Sequence, residues 1–302
     1  MSMQQLKISR SANVGLAACE RGIMLKRIIT SIFALCILIP VLCFSHTWIF
    51  PISLSIVSVI CLFEGFRCLG VHKRLHIVLP FYIVAAVLPI VQRIPFFDGK
   101  MVPFCTTLAI ICLIYSFSLV VWSHGKFTYI DMCTVSLTSL YIVFGINVIL
   151  YIRDFDASGI FIYLLIFIGA WTTDVFAYFT GVFFGKHKLI EDVSPKKTIE
   201  GSIGGIVFCS LAFVITGVIV DAFFEGNANM IFLAVSGVFI SVIAQVGDLI
   251  MSVIKRHYGI KDYGKIFPGH GGMLDRFDSI LAVSLGVAAM CMVSSIIGIP
   301  FI

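Results

Sequence analysis

Charge is what this sequence has least of. Only 12% of its 302 residues are charged, about half the ~25% of an ordinary soluble domain, while hydrophobic residues fill 60% of the positions. A water-soluble fold of this length has nowhere to put so much apolar surface. Strict polar–apolar alternation is missing too, which argues against a transmembrane β-barrel. The ten cysteines include no CxxC pair, and Cys36, Cys43, Cys61, Cys112, Cys209 and Cys291 fall inside apolar runs. Zinc and redox motifs need close ligand pairs, so these cysteines read as small buried hydrophobes. The seven histidines form no HExxH cluster and the chain has no GxxxxGK[ST] loop, so zinc-protease and P-loop chemistry drop out. A formal charge of +5 suggests nucleic acid only weakly; in a membrane chain, excess Lys and Arg mark cytoplasmic loops. No nucleic-acid partner is expected.

What is present is long apolar runs. Roughly 20 apolar residues cross a bilayer core of about 30 Å, and nine such segments are readable: 28–44, 47–63, 77–91, 104–122, 129–151, 160–184, 203–224, 230–254 and 279–299. The expected fold is therefore all-α, a polytopic transmembrane helical protein of about nine spans. Three regions follow: a cytoplasmic tail over 1–27, an N-terminal transmembrane region of about five spans over 28–159, and a catalytic transmembrane region over 160–302. The third span is short and contains Pro80 and Pro89, tolerated in membranes where neighbours satisfy the freed carbonyls. The basic start followed by an apolar run reads as a signal anchor, because no small-residue cleavage site follows it.

Lys and Arg give the direction. With the N-terminus in the cytoplasm, Lys7, Arg10, Arg21, Lys26, Arg27, Arg67, Lys73, Arg74, Lys126, Lys186, Lys188, Lys196, Lys197, Lys255, Arg256, Lys261, Lys265 and Arg276 lie inside, and only Arg93, Lys100 and Arg153 outside. That asymmetry obeys the positive-inside rule. It places the two most polar, glycine-rich stretches on the face where nucleotides are.

The first stretch, Ser194-Pro195-Lys196-Lys197-Thr198-Ile199-Glu200-Gly201-Ser202-Ile203-Gly204-Gly205, combines hydroxyls, two lysines and glycines at the start of a span. Small residues let backbone N–H groups approach a polyphosphate, and lysines supply positive charge. An ordinary basic inner loop would carry the same residues. The second stretch begins inside the eighth span, where Gln245, Asp248, Ser252 and Lys255 share one helical face. Asp248 lies about two turns inside the apolar run, a costly place for an ionisable group. Arg256, Lys261, Asp262 and the run Pro268-Gly269-His270-Gly271-Gly272-Met273-Leu274-Asp275-Arg276-Phe277-Asp278-Ser279 follow. Carboxylates that hold Mg²⁺, with Lys and Arg neutralising phosphate, fit phosphoryl or nucleotidyl transfer. Asp174 in the sixth span, with Tyr178, Gly181 and Gly185 on its face, suits helix packing as well as it suits catalysis.

At these residues the chain resembles the CDP-diacylglycerol synthase (phosphatidate cytidylyltransferase) family. The matching positions are Asp174-x-x-Ala177-Tyr178-x-x-Gly181, Phe184-Gly185-Lys186, Ser194-Pro195-Lys196-Lys197-Thr198-x-Glu200-Gly201, Gln245-x-Gly247-Asp248, Ser252-x-x-Lys255-Arg256, Lys261-Asp262-x-Gly264, Pro268-Gly269-His270-Gly271-Gly272 and Asp275-Arg276-x-Asp278-Ser279. They run from about Asp174 to Ser279; the earlier spans agree only in being apolar.

The resemblance implies CMP transfer from CTP to phosphatidic acid. It also implies dependence on Mg²⁺, with a second cation or basic side chains beside it, a polar cavity open to the cytoplasm and to membrane lipids, and a homodimer. On this reading Asp248 and Asp278 are expected to be the principal metal ligands, supported by Asp275. Ser194, Lys196, Lys197 and Thr198 would hold CTP phosphates, with Ser252 and Lys261 also on substrate. Lys255, Arg256 and Arg276 would meet phosphatidate or pyrophosphate. Gly271 and Gly272 would allow close backbone approach, and His270 would bridge a phosphate or cap the turn. A bacterial inner (cytoplasmic) membrane is expected, with the site facing the cytoplasm. A CTP-dependent lipid kinase is the neighbouring alternative. The DGxxAR motif of CDP-alcohol phosphotransferases is absent, and the inverted repeat expected of a secondary transporter is not seen.

Overall fold

The computed structural model describes residues 30–302 apart from 98, 126, 156, 157, 225 and 270. The tail 1–27 with its basic residues, the first two positions of the expected first span, Lys126 and His270 lie outside the described residues. The described chain is helical almost throughout. A shorter apolar helix, α1 (Thr30–Cys43), precedes α2 (Ile49–Cys68), α3 (Leu75–Gln92), α4 (Met101–Trp122), α5 (Tyr129–Phe155), α6 (Gly159–Phe184), α7 (Ile199–Phe224), α8 (Met230–His257) and α9 (Leu274–Ile297). The eight from α2 to α9 are each long and apolar enough to cross a membrane.

Several helices run past the apolar boundaries that hydropathy sets. α2 continues to Cys68 and so carries Glu64 and Arg67, α8 continues to His257, and α9 begins at Leu274, five residues ahead of the expected start. Polar residues at these ends find partners on neighbouring helices or on the segment between α8 and α9. The glycines at 201, 204 and 205 belong to α7, not to a loop, and they serve helix packing. A Cβ on Gly204 would collide with Thr180, and one on Gly205 would lie 3.0 Å from the Thr173 carbonyl, both on α6. Ahead of α7 the chain forms a small antiparallel hairpin, β1 (Lys188–Ile190) with β2 (Ser194–Thr198), pairing Lys188 with Thr198 and Ile190 with Ser194. Hydropathy carries no trace of it.

Caps fix the helix ends. Asn229 accepts the Phe232 N–H at 2.9 Å to start α8, as an N-cap side chain does. Gly298, at φ 72°, ends α9 in the left-handed conformation. α6, α7, α8 and α9 pack in succession, and α5 is the hub, touching α2, α3, α4, α6 and α9. Through α5 and α2 the two halves of the chain share one apolar core. At the end away from the hairpin, Arg93 and Arg153 both pair with Asp154, at 2.8 and 2.9 Å, and Tyr163 donates to the Leu42 carbonyl at 3.0 Å. These bonds tie α3, α5, α6 and the end of α1 together.

α7 and α8 come close at Gly237, where a Cβ would stand 2.6 Å from the Ser210 Cα and 3.0 Å from its nitrogen. Backbone cannot give way as a side-chain tip can. Gly237→Ala is therefore expected to destabilise the bundle by about 1–3 kcal/mol, the range for overpacking. A lowered thermal midpoint of the detergent-purified protein would register it, and an unchanged midpoint would contradict the close contact.

Candidate active site

The end of the bundle that holds the hairpin gathers the polar residues of α6, α8 and α9. Gly247 sets the spacing. A Cβ there would collide with Ala282 and lie 3.4 Å from the Asp278 carbonyl, so glycine lets α8 close onto α9 one residue ahead of Asp248. Asp248 and Asp278 are thereby brought near enough for their charges to oppose each other, and Asp174 from α6 feels both. Ser279 donates to Asp174 at 3.4 Å.

Basic groups meet these carboxylates unequally. Lys255 is buried, 2.9 Å from Asp275 and 4.0 Å from Asp278, so one ammonium stands between two carboxylates of α9. Removing charges from water costs several kcal/mol per ion, and only close, well-bonded pairing offsets it. Asp275 is so bonded: one oxygen takes Lys255, and the other accepts the N–H groups of Tyr263 at 2.8 Å and Gly272 at 2.9 Å. Lys197 of β2 reaches Asp248 at 2.5 Å, with both side chains about a quarter exposed. The hairpin thus delivers one lysine of its Lys196-Lys197 pair to the helix-borne acids and leaves Lys196 exposed.

The loop 258–273 closes around this knot. Its Ile260 N–H returns to the Lys255 carbonyl at 2.9 Å, and Phe267 N–H bonds the Gly271 carbonyl at 2.9 Å. Gly271 has φ 87°, a region that side chains other than glycine's avoid. Tyr263 is buried and donates its hydroxyl to the Met251 carbonyl at 3.1 Å. Burial above all, then the negative groups around it, hold its phenol well above the usual range, so it stays a neutral donor. Beneath the loop opens a cavity of about 710 Å³ lined by Lys261, Asp262, Gly264, Lys265, Phe267, Pro268, Gly269, Gly271 and Arg276.

The structure thus brings together Asp248, Asp275, Asp278, Lys255 and Lys197, with Ser252 half-buried between Asp248 and Lys255 on α8. Lys261, Gly271 and Arg276 line the adjoining cavity. The other candidate residues make contacts of their own. Thr198 is buried among Gly181, Gly185 and Gly201, and its hydroxyl accepts the Gly201 N–H at 3.1 Å to start α7. Ser194 opens β2, half-buried. Arg256 is exposed and bonds the Ile260 carbonyl at 3.4 Å. Gly272 presents its N–H to Asp275, and a Cβ on it would strike Glu64. His270 lies outside the described residues. Among those described, no three His, Cys, Asp or Glu side chains form a group poised to hold a metal ion.

Sequence reasoning missed Glu64 and Tyr263 and read Arg67 only as an inner-loop charge. Glu64 is 1% exposed and accepts the Leu274 N–H at 2.8 Å, and Arg67 donates to the Tyr263 carbonyl. A carboxylate at the end of an apolar run was a signal available in the sequence, but its partner lies 210 residues away.

Comparison with known proteins finds relatives over most of the chain. Residues 25–294 match the family described as the cytidylyltransferase family. A phosphatidate cytidylyltransferase of Staphylococcus haemolyticus is 34% identical over 258 residues, covering 85% of this chain and 95% of that protein. One from Staphylococcus aureus matches with the same identity and coverage. A third, from Staphylococcus saprophyticus, is 38% identical over 166 residues, 55% of this chain and 61% of that one.

The buried pairing makes a stability test. Lys255→Met leaves Asp275 and Asp278 without their shared cation, so a loss of about 3–5 kcal/mol, typical of breaking a buried pair, is expected in the unfolding midpoint. A variant as stable as the parent would contradict the pairing.

Proposed function

The chain belongs to the cytidylyltransferase family, and on that premise we propose that it transfers CMP from CTP to phosphatidic acid, giving CDP-diacylglycerol and pyrophosphate for phospholipid biosynthesis. It is an integral membrane nucleotidyltransferase. The observation that carries the reading is the pair of lysine–aspartate contacts, Lys197–Asp248 and Lys255–Asp275, with Asp278 beside them at one end of the apolar bundle.

The nucleophile is a phosphate monoester oxygen of the lipid, already anionic at neutral pH. It attacks the α-phosphorus of CTP; the new P–O bond joins the two phosphates, the α–β bridging bond breaks, and its electron pair leaves with pyrophosphate. No strong general base is required. The barrier is repulsion between two anions, and fixed positive charge lowers it. Lys255, held by Asp275, is the immobile positive group. Lys197 is the mobile one: released from Asp248, its ammonium reaches a CTP phosphate oxygen. Lys261, Lys265 and Arg276 line the cavity where the remaining phosphate charge is met.

Mg²⁺ is part of the proposal: Asp248 and Asp278 would hold it, and it would supply charge neutralisation at the transferring phosphorus. The donor set suits it. These carboxylates repel each other, and Mg²⁺ needs only one or two of them when phosphates and water complete its shell. The residues fit an ion arriving with the nucleotide better than a preformed cage.

The proposal places this end at the cytoplasmic face of a bacterial inner membrane. Eighteen of the 21 Lys and Arg residues fall on that side under the positive-inside rule. The Thr30 hydroxyl, 3.5 Å from the Pro268 carbonyl, sets the start of α1 beside the site. The proposal extends to a homodimer, which would be read as twice the 33.3 kDa chain mass.

Purified protein given phosphatidate vesicles, Mg²⁺ and CTP tests the reaction. Cytidine label should enter the lipid phase and γ-phosphate label should leave as pyrophosphate. γ-Label in lipid would establish the kinase instead, and label in neither would end the reading. Asp248→Asn and Asp278→Asn should each lower kcat by at least about a hundredfold, as loss of several kcal/mol of charge stabilisation requires, while still inserting in membranes. Lys261→Ala should stay within about fivefold, because an exposed single charge is screened.

A further inference from the structure

An α-helix begins with N–H groups that have no partner in the helix itself, and α9 begins with no help from its own sequence. Its cap position is Met273, which offers no side-chain acceptor. The acceptor comes instead from α2, where Glu64 takes the Leu274 N–H at 2.8 Å. A carboxylate at that end also meets the positive pole of the helix dipole. Three residues along the same face of α2, Arg67 donates to the Tyr263 carbonyl, within the loop that leads into α9. The stretch from Tyr263 to Leu274 is thus held at both ends by one turn of a helix from the opposite half of the chain.

The fit is tight. Ideal Cβ atoms on Gly264 and Gly272 would both collide with the Glu64 carboxyl, and the three nearest atoms to the one on Gly272 all belong to that carboxyl. Gly272 itself does not sit at positive φ, so its lack of a side chain answers to Glu64 and not to the backbone. The residues so gripped are the ones that fix the knot, for Tyr263 and Gly272 give Asp275 its two backbone bonds and Asp275 holds Lys255.

We propose that Glu64 and Arg67 are positioning residues for the transfer site, a clasp from α2 that sets the register of the 263–274 segment and hence the places of Asp275, Lys255 and Asp278. The proposal rests on the cytidylyltransferase reading for its activity readout, but the clasp itself is testable without it. Neither residue touches substrate; they act through the loop.

The experiment compares the purified full chain with Glu64→Ala, Glu64→Gln, Gly272→Ala and the double variant E64A/G272A, scoring melting midpoint, kcat and KM for CTP. Glu64→Ala should lower kcat roughly tenfold to a hundredfold, the scale of a displacement of about 1 Å in a reacting group. KM for CTP should stay within about threefold, since Lys196, Lys197 and Lys261 lie outside the gripped segment. Glu64→Gln, which keeps an acceptor oxygen and the same shape, should recover most of the rate. Gly272→Ala should lower both midpoint and kcat in the parent, and that added damage should shrink in the Glu64→Ala background because the colliding atoms are gone. The proposal is overturned if Glu64→Ala turns over like the parent, if its lost rate merely tracks lost folded protein, or if Gly272→Ala costs the same in both backgrounds. Should the parent itself make no CDP-diacylglycerol, the reaction assigned above fails, and the melting midpoints of the double-variant cycle still decide whether the clasp exists.

Discussion

A lysine buried between two aspartates is the interaction on which the rest of this structure turns. Lys255, Asp275 and Asp278 are each 7–8% exposed, and none of the three could be left alone in such a place without a penalty of several kcal/mol. Satisfying them dictates the local architecture. α8 must run helical to its basic end to carry Lys255 inward, and α9 must start early enough to place Asp275 in its first turn. The intervening loop must fold back so that two N–H groups reach the second oxygen of Asp275. Gly247 then lets the two helices close far enough for Asp248 to join. Each of these features would be arbitrary without the buried charges; with them, each is required.

The same constraint explains why the N-terminal half is more than a membrane anchor. An uncapped helix start in a buried setting leaves donors without partners, and a lost bond of that kind costs about 1–3 kcal/mol. α9 has no acceptor of its own at that position, and α2 supplies one. α5 completes the link from the other side: Gly145 admits Leu281 of α9, and the Gly145 carbonyl accepts the Ser284 hydroxyl at 2.7 Å. The C-terminal half is therefore oriented by helices whose sequences look like plain apolar filler.

Much of this was legible in the sequence, and the remainder was hidden for a definite reason. Composition and run length gave the all-α membrane class, and eight helices satisfy it. Helical spacing put Gln245, Asp248, Ser252 and Lys255 on one face, and they do lie on a continuous α8. Spacing could not reveal the hairpin, whose five-residue second strand is as polar as any loop. Nor could it show that Gly201, Gly204 and Gly205 face a neighbouring helix instead of a phosphate, since a small residue is equally apt for either. Glu64 was out of reach because its meaning lies in a contact across 210 positions. Hydropathy reads what a segment is made of and is silent about which distant segment completes it.

The two lysine–aspartate pairs differ in a way that orders the chemistry. Lys255–Asp275 is nearly sealed, at 10% and 4% side-chain exposure, whereas Lys197–Asp248 is open to solvent at 27% and 26%. An open pair gains little net stability, because water competes for both partners, so it can separate at small cost when a better partner arrives. A sealed pair cannot. One pair therefore fixes geometry and the other is free to exchange. The exchangeable lysine sits on a hairpin, and the fixed one on a helix locked from both ends. A site that brings two mutually repelling phosphates together, as proposed for this one, needs both kinds. Rigid charge makes the electrostatic field ready beforehand, and a solvent-open lysine can leave Asp248 for an incoming anion at small cost.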